Sequence, residues 1–210
     1  MNIKVLAAAL GLTLTAGAIK ANAQKAYTNG YFSFDTELRG NPATVNNYFS
    51  PDSAASFITF GAGNVKVLTD AKHDYLAIVL DIPVAGIKKA GIATPAEIEQ
   101  FATTIPSFTY TPSTETKTIS GFNCKKIVAK DTKSGKSYDV WVTNDVTVPS
   151  TAIPFYYTSI GGFPIQYTAF QQGQEVSITV KSITEGKAPA GTFAIAKDID
   201  KVGMDDLNAQ

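Results

Sequence analysis

Apolar and polar side chains alternate at every second position through most of this chain, in runs closed by short turns. That pattern commits the chain to antiparallel β-structure. Phe32, Phe34, Thr36 and Leu38 share one face of a strand, and Tyr31, Ser33, Asp35 and Glu37 share the other. Ser56 to Phe60 and Asn64 to Thr69 read as strands joined through Gly61-Ala62-Gly63, and the polar turn Asp70 to Asp74 leads into a strand over Tyr75 to Ile82. Phe122 to Lys130 and Ser137 to Thr143 form a hairpin whose turn holds Gly135, the residue best suited to a left-handed position. Ile165 to Phe170 and Glu175 to Ile183 form another. In it Val176, Ile178 and Val180 alternate with Ser177, Thr179 and Lys181, as in a sheet with one wet face.

Other strands are apolar on both sides. Trp141 opposes Tyr138, Val140 and Val142, and Phe170 opposes Ile165, Tyr167 and Ala169. Such strands must be covered on both faces, which predicts a mainly β, α+β fold: a strongly curved antiparallel sheet or incomplete barrel with one or two helices packed against it. The helical insert falls near residues 83–105. Thr94-Pro95-Ala96-Glu97 is a capping box with proline at the first helical position, Ile98, Phe101, Ala102 and Ile105 continue on one face, and Pro106 ends the pattern. Pro83 to Ile92 reads as a shorter second helix, weakened by Gly86 and Gly91. No repeat or linker interrupts 24–210, so one domain is expected.

Residues 1–23 read as a secretory signal: Lys4, an apolar run from Val5 to Ala18, and the small-x-small site Ala21-Asn22-Ala23. The run is short for a membrane span, and no cysteine follows it to carry a lipid anchor. Cleavage after Ala23 would remove Lys4 and Lys20 from 18 basic residues and nothing from 18 acidic ones, leaving a net charge of −2. The expectation is a periplasmic or secreted protein with no transmembrane segment after signal removal.

Charge balance argues against nucleic acid as a partner, since phosphate binding needs a clustered basic surface. A single cysteine excludes an intrachain disulfide and multi-thiolate zinc, and a single histidine excludes His-rich metal sites. Several motifs fail on inspection. Gly61 to Lys66 starts like a dinucleotide loop but places Lys66 where glycine is needed, and Gly135-Lys136-Ser137 ends like a phosphate loop yet has Lys130 at its first glycine. Asp198-Ile199-Asp200 with Gly203 resembles a calcium loop, with Val202 and Ala209 at ligand positions. His73 lies in a polar turn with no nucleophile elbow to serve, Cys124 lies among strand residues, and Asp35 with Glu37 form a solvated pair. No metal, cofactor or catalytic set is expected, and the reading is a non-enzyme.

Two features suggest binding. Arg39 is the only arginine. The segment Phe155-Tyr156-Tyr157 followed by Gly161-Gly162-Phe163-Pro164 puts rings around a flexible turn that can line a mouth or cover an apolar space.

The run from Thr114 to Val128, with Ile119-x-Gly121-Phe122-x-Cys124-Lys125-Lys126, continues to Val140-Trp141-Val142-Thr143. With Gly162-Phe163-Pro164-Ile165 and Thr192-Phe193-Ala194-Ile195 it resembles an exported family, the domain-of-unknown-function 4412 proteins, over most of 56–207. That family looks distantly related to the LolA/LolB lipoprotein carriers, an incomplete antiparallel barrel with a helical lid over an apolar cavity. The resemblance implies a non-enzymatic carrier or sensor of a hydrophobic small molecule, lipid, lipoprotein acyl chain or lipidated peptide. Phe32, Phe34, Trp141, Tyr157, Phe163 and Tyr167 are the expected lining, and Arg39 loosely matches an early-strand arginine of that fold. The alternative is a cell-envelope protein–protein interaction module without a small ligand, using a free strand edge or the acidic tail Asp198 to Asp206.

Overall fold

A computed structural model describes residues 24–38, 41–171 and 173–208. The expected signal segment and Arg39 lie outside these residues. Two strands, β1 (Lys25–Ala26) and β11 (Val146–Thr147), pair in parallel apart from the main sheet. The first half of the chain is a meander: β2 (Gly30–Leu38), β3 (Asn41–Phe49), β4 (Ser53–Phe60), β5 (Gly63–Asp70), β6 (Leu76–Ile82) and β7 (Ile87–Ile92). Helix α1 (Pro95–Thr104) leads to β8 (Phe108–Ile119), β9 (Phe122–Asp131) and β10 (Ser137–Thr143), then come β12 (Phe163–Gln171) and β13 (Gln174–Glu185). The chain ends with β14 (Asp200–Gly203) and α2 (Met204–Asn208).

All strands but β1 and β11 belong to one sheet, in the order β14-β7-β6-β5-β4-β3-β2-β13-β12-β10-β9-β8. Every pairing in it is antiparallel except β14 on β7, so the sheet is mixed. It is not closed into a barrel.

Chain length requires curvature. Strands β7 and β8 stand ten spacings apart in this order, which is about 48 Å in a flat sheet. The connection from Ile92 to Phe108 contains a ten-residue helix. Helix plus extended flanks reach at most about 40 Å. The two ends of the sheet must therefore bend toward one another, and α1 crosses the open side.

The capping box forms as expected: Glu97 N donates to Thr94 Oγ1 at 3.3 Å, and Thr94 N donates to Glu97 Oε2 at 2.6 Å. The expected packed face does not form. α1 buries none of its residues, Phe101 is 45% exposed, and only Ile105 beyond its end is buried. The expected second helix is also corrected. Pro83–Ala85 makes a single 3₁₀ turn, ended by Gly86 at φ 65°, and Ile87–Ile92 returns as a strand. The glycines cannot hold a helix, whereas Gly91 in a strand accepts α2, with Leu207 and Met204 against its Cα.

The main core lies inside the curve over β2, β3, β9, β10, β12 and β13. It is filled from within by the segment after β11, where Ala152, Tyr157 and Ile160 are buried. A second cluster lies on the opposite face of β3 to β7: Ala55, Leu68 and Ala77, with Tyr48, Phe57 and Ile92 packed around them. It is covered by the C-terminal crossing segment through Phe193 and Ile195. Lys66 secures that crossing, with Nζ donating to the Ala194 carbonyl at 2.6 Å.

Candidate functional site

Strand register builds the site. Cα partners run Val180–Phe34–Val45–Ile58–Val65–Leu80 across six strands without a polar residue. Val180, Phe34 and Val45 are buried in the main core, whereas Ile58, Val65 and Leu80 remain half-buried. A second row on this face passes through Asn47, Ser56, Val67 and Ile78: Val67 and Ile78 are half-buried, while Ser56 Oγ donates to Asn47 Oδ1 and makes the row polar on β3 and β4. The core thus grades into a half-buried inner face on β4–β6: Ile58 still packs against the main core, the segment after β11 reaches β4 and, through Phe155, the β5–β6 turn, and α2 lies over Gly91 of β7. Facing outward, Lys66 and Val79 alternate with these residues and belong to the covered side.

Where the curve's other limb begins, rings form a wall. Phe108 stacks on Tyr157 at 5.4 Å and lies 5.7 and 5.8 Å from Tyr138 and Phe170, while Tyr156 meets Phe170 at 5.4 Å. Hydroxyls tie these rings to backbone. Tyr157 Oη donates to the Thr168 carbonyl at 3.0 Å, Tyr110 Oη donates to the Tyr156 carbonyl, and Phe170 N donates to Tyr156 Oη at 3.3 Å. Burial pushes the Tyr156 phenol up to about 12 and those of Tyr157 and Tyr167 higher still, so all three are neutral at ordinary pH. A cleft of about 380 Å³ lies between this wall and the end of α1, lined by Ala102, Ile105, Pro106, Tyr110, Phe155 and Tyr156 among others. An adjoining one of about 310 Å³ reaches Phe101, Tyr138 and Phe170, with Ile105, Pro106 and Lys133 common to both.

Of the expected lining, Phe32, Phe34, Tyr157, Phe163 and Tyr167 gather in one place, each at most 6% exposed. They pack on one another, with Phe32 edge-on to Phe163 at 5.3 Å and Tyr157 edge-on to Tyr167 at 5.8 Å. They form the solid floor from which the half-buried face extends. Trp141 stands apart on the outer face of β10. Its register partner is Gln166, and the Lys117 ammonium lies 4.0 Å from its ring centre. Strand alternation sends it away from Val140 and Val142, so it does not line the interior.

The remaining candidates take structural roles. Asp35 pairs with Lys181 and accepts from Thr44 Oγ1 at 3.0 Å. His73 sits in the β5–β6 turn at φ 59°, its ring 5.7 Å from Phe155. Cys124 is 1% exposed and burial pushes its thiol up, away from the reactive thiolate. The acidic tail is built into the fold: Asp198 pairs with Lys88, Asp200 starts β14, and Asp205 and Asp206 open α2. Among the described residues no group of three or more His, Cys, Asp or Glu side chains is placed to hold a metal, and no helix is long and apolar enough to cross a membrane. The edge strands of the main sheet are the short β14 and β8, the latter interrupted by Pro112 and a register shift before Thr116.

The sequence pattern does not single out Ile58, Val65, Val67, Ile78 and Leu80. The alternation of Val65 and Val67 with Lys66 is legible, but Leu76 to Ile82 is apolar on both faces, so periodicity cannot say which face is left half-buried.

No family model and no curated protein matches this chain. Among solved structures, two of PNGF-II are similar in part. The C2 form has a TM-score of 0.47 at 13% identity over 86% of this chain, and the P21 form 0.46 at 12% over 87%. In both cases the chain spans about a third of the length of the PNGF-II chain, 32%.

Proposed function

We infer that this is a non-enzymatic binding protein that holds an apolar, acyl-chain-like ligand against the inner face of β4–β6. The first 23 residues suggest that it works in the periplasm or after secretion. One observation carries this reading: the apolar row that is core at Val180, Phe34 and Val45 continues as half-buried Ile58, Val65 and Leu80. A solvated sheet face is normally polar, so an apolar one only half covered is suited to an apolar occupant. A chain of a dozen methylenes gains about 0.8 kcal/mol for each one buried. After ordering costs of at least about 4 kcal/mol, about 5–6 kcal/mol at most remains, binding on the order of 0.1 mM.

The test has two parts. Organic extraction of protein purified from its native compartment, followed by mass spectrometry, is expected to release a lipid or fatty acid. A fluorescent fatty-acid analogue should bind the emptied protein, and Leu80→Asp should abolish its binding while leaving the circular dichroism of the sheet intact. An empty extract together with no binding of the analogue overturns the reading.

A further inference from the structure

The main sheet ends at β8 on a stretch that carries its own complement. Beyond the register shift, Thr116, Lys117, Thr118 and Ile119 pair in order with Lys125, Cys124, Asn123 and Phe122, and Ser120-Gly121 closes the hairpin at φ 51° and 83°. Two left-handed positions make a two-residue turn across which Ile119 and Phe122 exchange hydrogen bonds. Alternation then turns the backbone of Lys117 and Ile119 in toward β9 and directs the N–H and C=O of Thr116 and Thr118 out at the open edge. Every residue from Thr114 to Thr118 is exposed. The hairpin is braced from behind, where Ser120 Oγ donates to the Val180 carbonyl at 2.7 Å and Lys117 Nζ donates to Gln166 Oε1 at 2.8 Å.

Glu115 and Lys117 lie on one side of this strand, because the first pairs with Lys126 and the second sits over Trp141, and Lys126 and Trp141 are register partners. The two charges are placed symmetrically about Thr116. We propose that β8 pairs antiparallel with β8 of a second copy of this chain, about a two-fold axis at Thr116. That register sets Glu115 of each copy opposite Lys117 of the other. On the opposite side it sets Thr114 against Thr118 and Thr116 against itself, β-branched residues suited to cross-strand contact. Neither charge is used up within its own chain. Lys126 takes one oxygen of Glu115, whose side chain stays 57% exposed, and Gln166 takes one of the three donors of Lys117. Edges of monomeric sheets are blocked by proline, bulges or unmatched lysine. On β8 the proline and the shift set off the half that bears Phe108 and Tyr110 of the ring wall, and past them the lysine has its acid two residues away. The other edge, β14, is four residues long and parallel to β7, and it offers no such stretch. So short a pairing buries less than a permanent dimer needs, which makes the association reversible and concentration-dependent. It leaves the inner face of β4–β6 untouched and does not rest on the ligand reading.

Two measurements on the full chain test this. In a hydrogen-bonded antiparallel pair the Cα atoms stand about 5.5 Å apart, within reach of a disulfide. Thr116→Cys should therefore give a covalent dimer under mild oxidation. Thr118→Cys, also exposed, should not, because its two copies stand about 14 Å apart in this register. Cys124 is buried and does not compete. Sedimentation velocity supplies the second measurement. Lys117→Glu and Glu115→Lys should each weaken self-association by about tenfold or more, since each sets like charges opposite one another. Mixing the two variants should restore a dimer, because every pair across the axis is then opposite in sign, and a merely structural defect in either variant would not be cured by mixing. A chain that sediments as a monomer up to millimolar concentration overturns the proposal. So does a dimer that cross-links as readily at 118 as at 116, or one that mixing fails to restore, because its contact is then a different one.

Discussion

Val45 and Val65 allow the same substitution to be made at two points of one row, separated by a single strand. Val45 is 4% exposed beneath Phe34 and Ile58, whereas Val65 is half-buried beyond Ile58. Val45→Ala removes two buried methyl groups, worth about 0.8 kcal/mol each by transfer. It also leaves a cavity that neighbouring rings cannot close, so the total cost is about 2–3 kcal/mol. In a domain of this size that lowers the thermal midpoint by roughly 5–10 °C. Val65→Ala loses only part of the transfer term and opens no sealed void, so its cost stays below about 1 kcal/mol. Binding of a fatty-acid analogue should respond in the opposite sense. It should weaken by about fivefold for Val65→Ala, the equivalent of about 1 kcal/mol, and stay unchanged for Val45→Ala. Urea titration followed by circular dichroism measures the first quantity and fluorescence titration the second. Equal stability costs at the two positions would mean that the inner face of β5 is covered as tightly as that of β3, and the inferred site would be lost.

Other expectations follow from local geometry. Thr94→Ala removes the capping box and about 1 kcal/mol of helix stability, but α1 buries nothing, so hydrogen exchange should show local fraying of 95–104 with an unchanged global midpoint. Gly30→Ala would place a Cβ 2.3 Å from the Thr184 carbonyl and 2.8 Å from Phe49 Cζ; the β2–β13 junction must then separate, and loss of soluble folded protein is the expected outcome. The Tyr156, Tyr157 and Tyr167 phenols are raised by burial above the usual value of 10.0. They therefore add stability that is complete below pH 10 and is lost as pH rises toward their folded values. In an alkaline absorbance titration these three of the nine tyrosines should ionise only as the sheet unfolds, and their ionisation while the circular dichroism remains native would contradict their burial.

Much of the fold is legible because strand alternation and turn chemistry are local. The hairpins at Gly61 to Gly63, Asp131 to Lys136 and Gln171 to Gln174 stand where their turn residues put them. The capping box at Thr94 places the start of α1 to the residue. Local signals fail where a residue's role depends on a distant strand. Pro83 to Ile92 becomes a turn and a strand because β6 offers a partner and α2 closes over Gly91. The order of the sheet, with β13 rather than β8 beside β2, joins residues 149 positions apart, as in Ser33 with Ser182, and no periodicity encodes that. For the site, the sequence indicates which side chains are apolar but not which are covered. Large rings stand out as candidate lining because they bury most area, and for that same reason Phe32, Phe34, Tyr157, Phe163 and Tyr167 become the core.

The division between core and site therefore rests on what fills the curve rather than on the sheet itself. Beneath β2, β3, β10, β12 and β13 the chain supplies its own filling, the segment around Ala152, Tyr157 and Ile160. Over the outer face of β4–β6 it also supplies its own cover, with Phe193 and Ile195 held down through the Lys66 contact to Ala194. Strands β4 to β6 thus carry apolar side chains on two faces, and the described chain covers the inner one only in part. A polar inner face would fold as well, since Ile58, Val65, Val67, Ile78 and Leu80 are only partly removed from water and return less than their full burial energy. The proposed ligand reading gives these five branched apolar residues an occupant to serve. Replacing Val67 and Ile78 together by threonine tests this directly. If the face serves only the fold, the double variant should lose stability and nothing else. If it serves an occupant, stability should change by about 1 kcal/mol or less per site while binding of the fatty-acid analogue is lost.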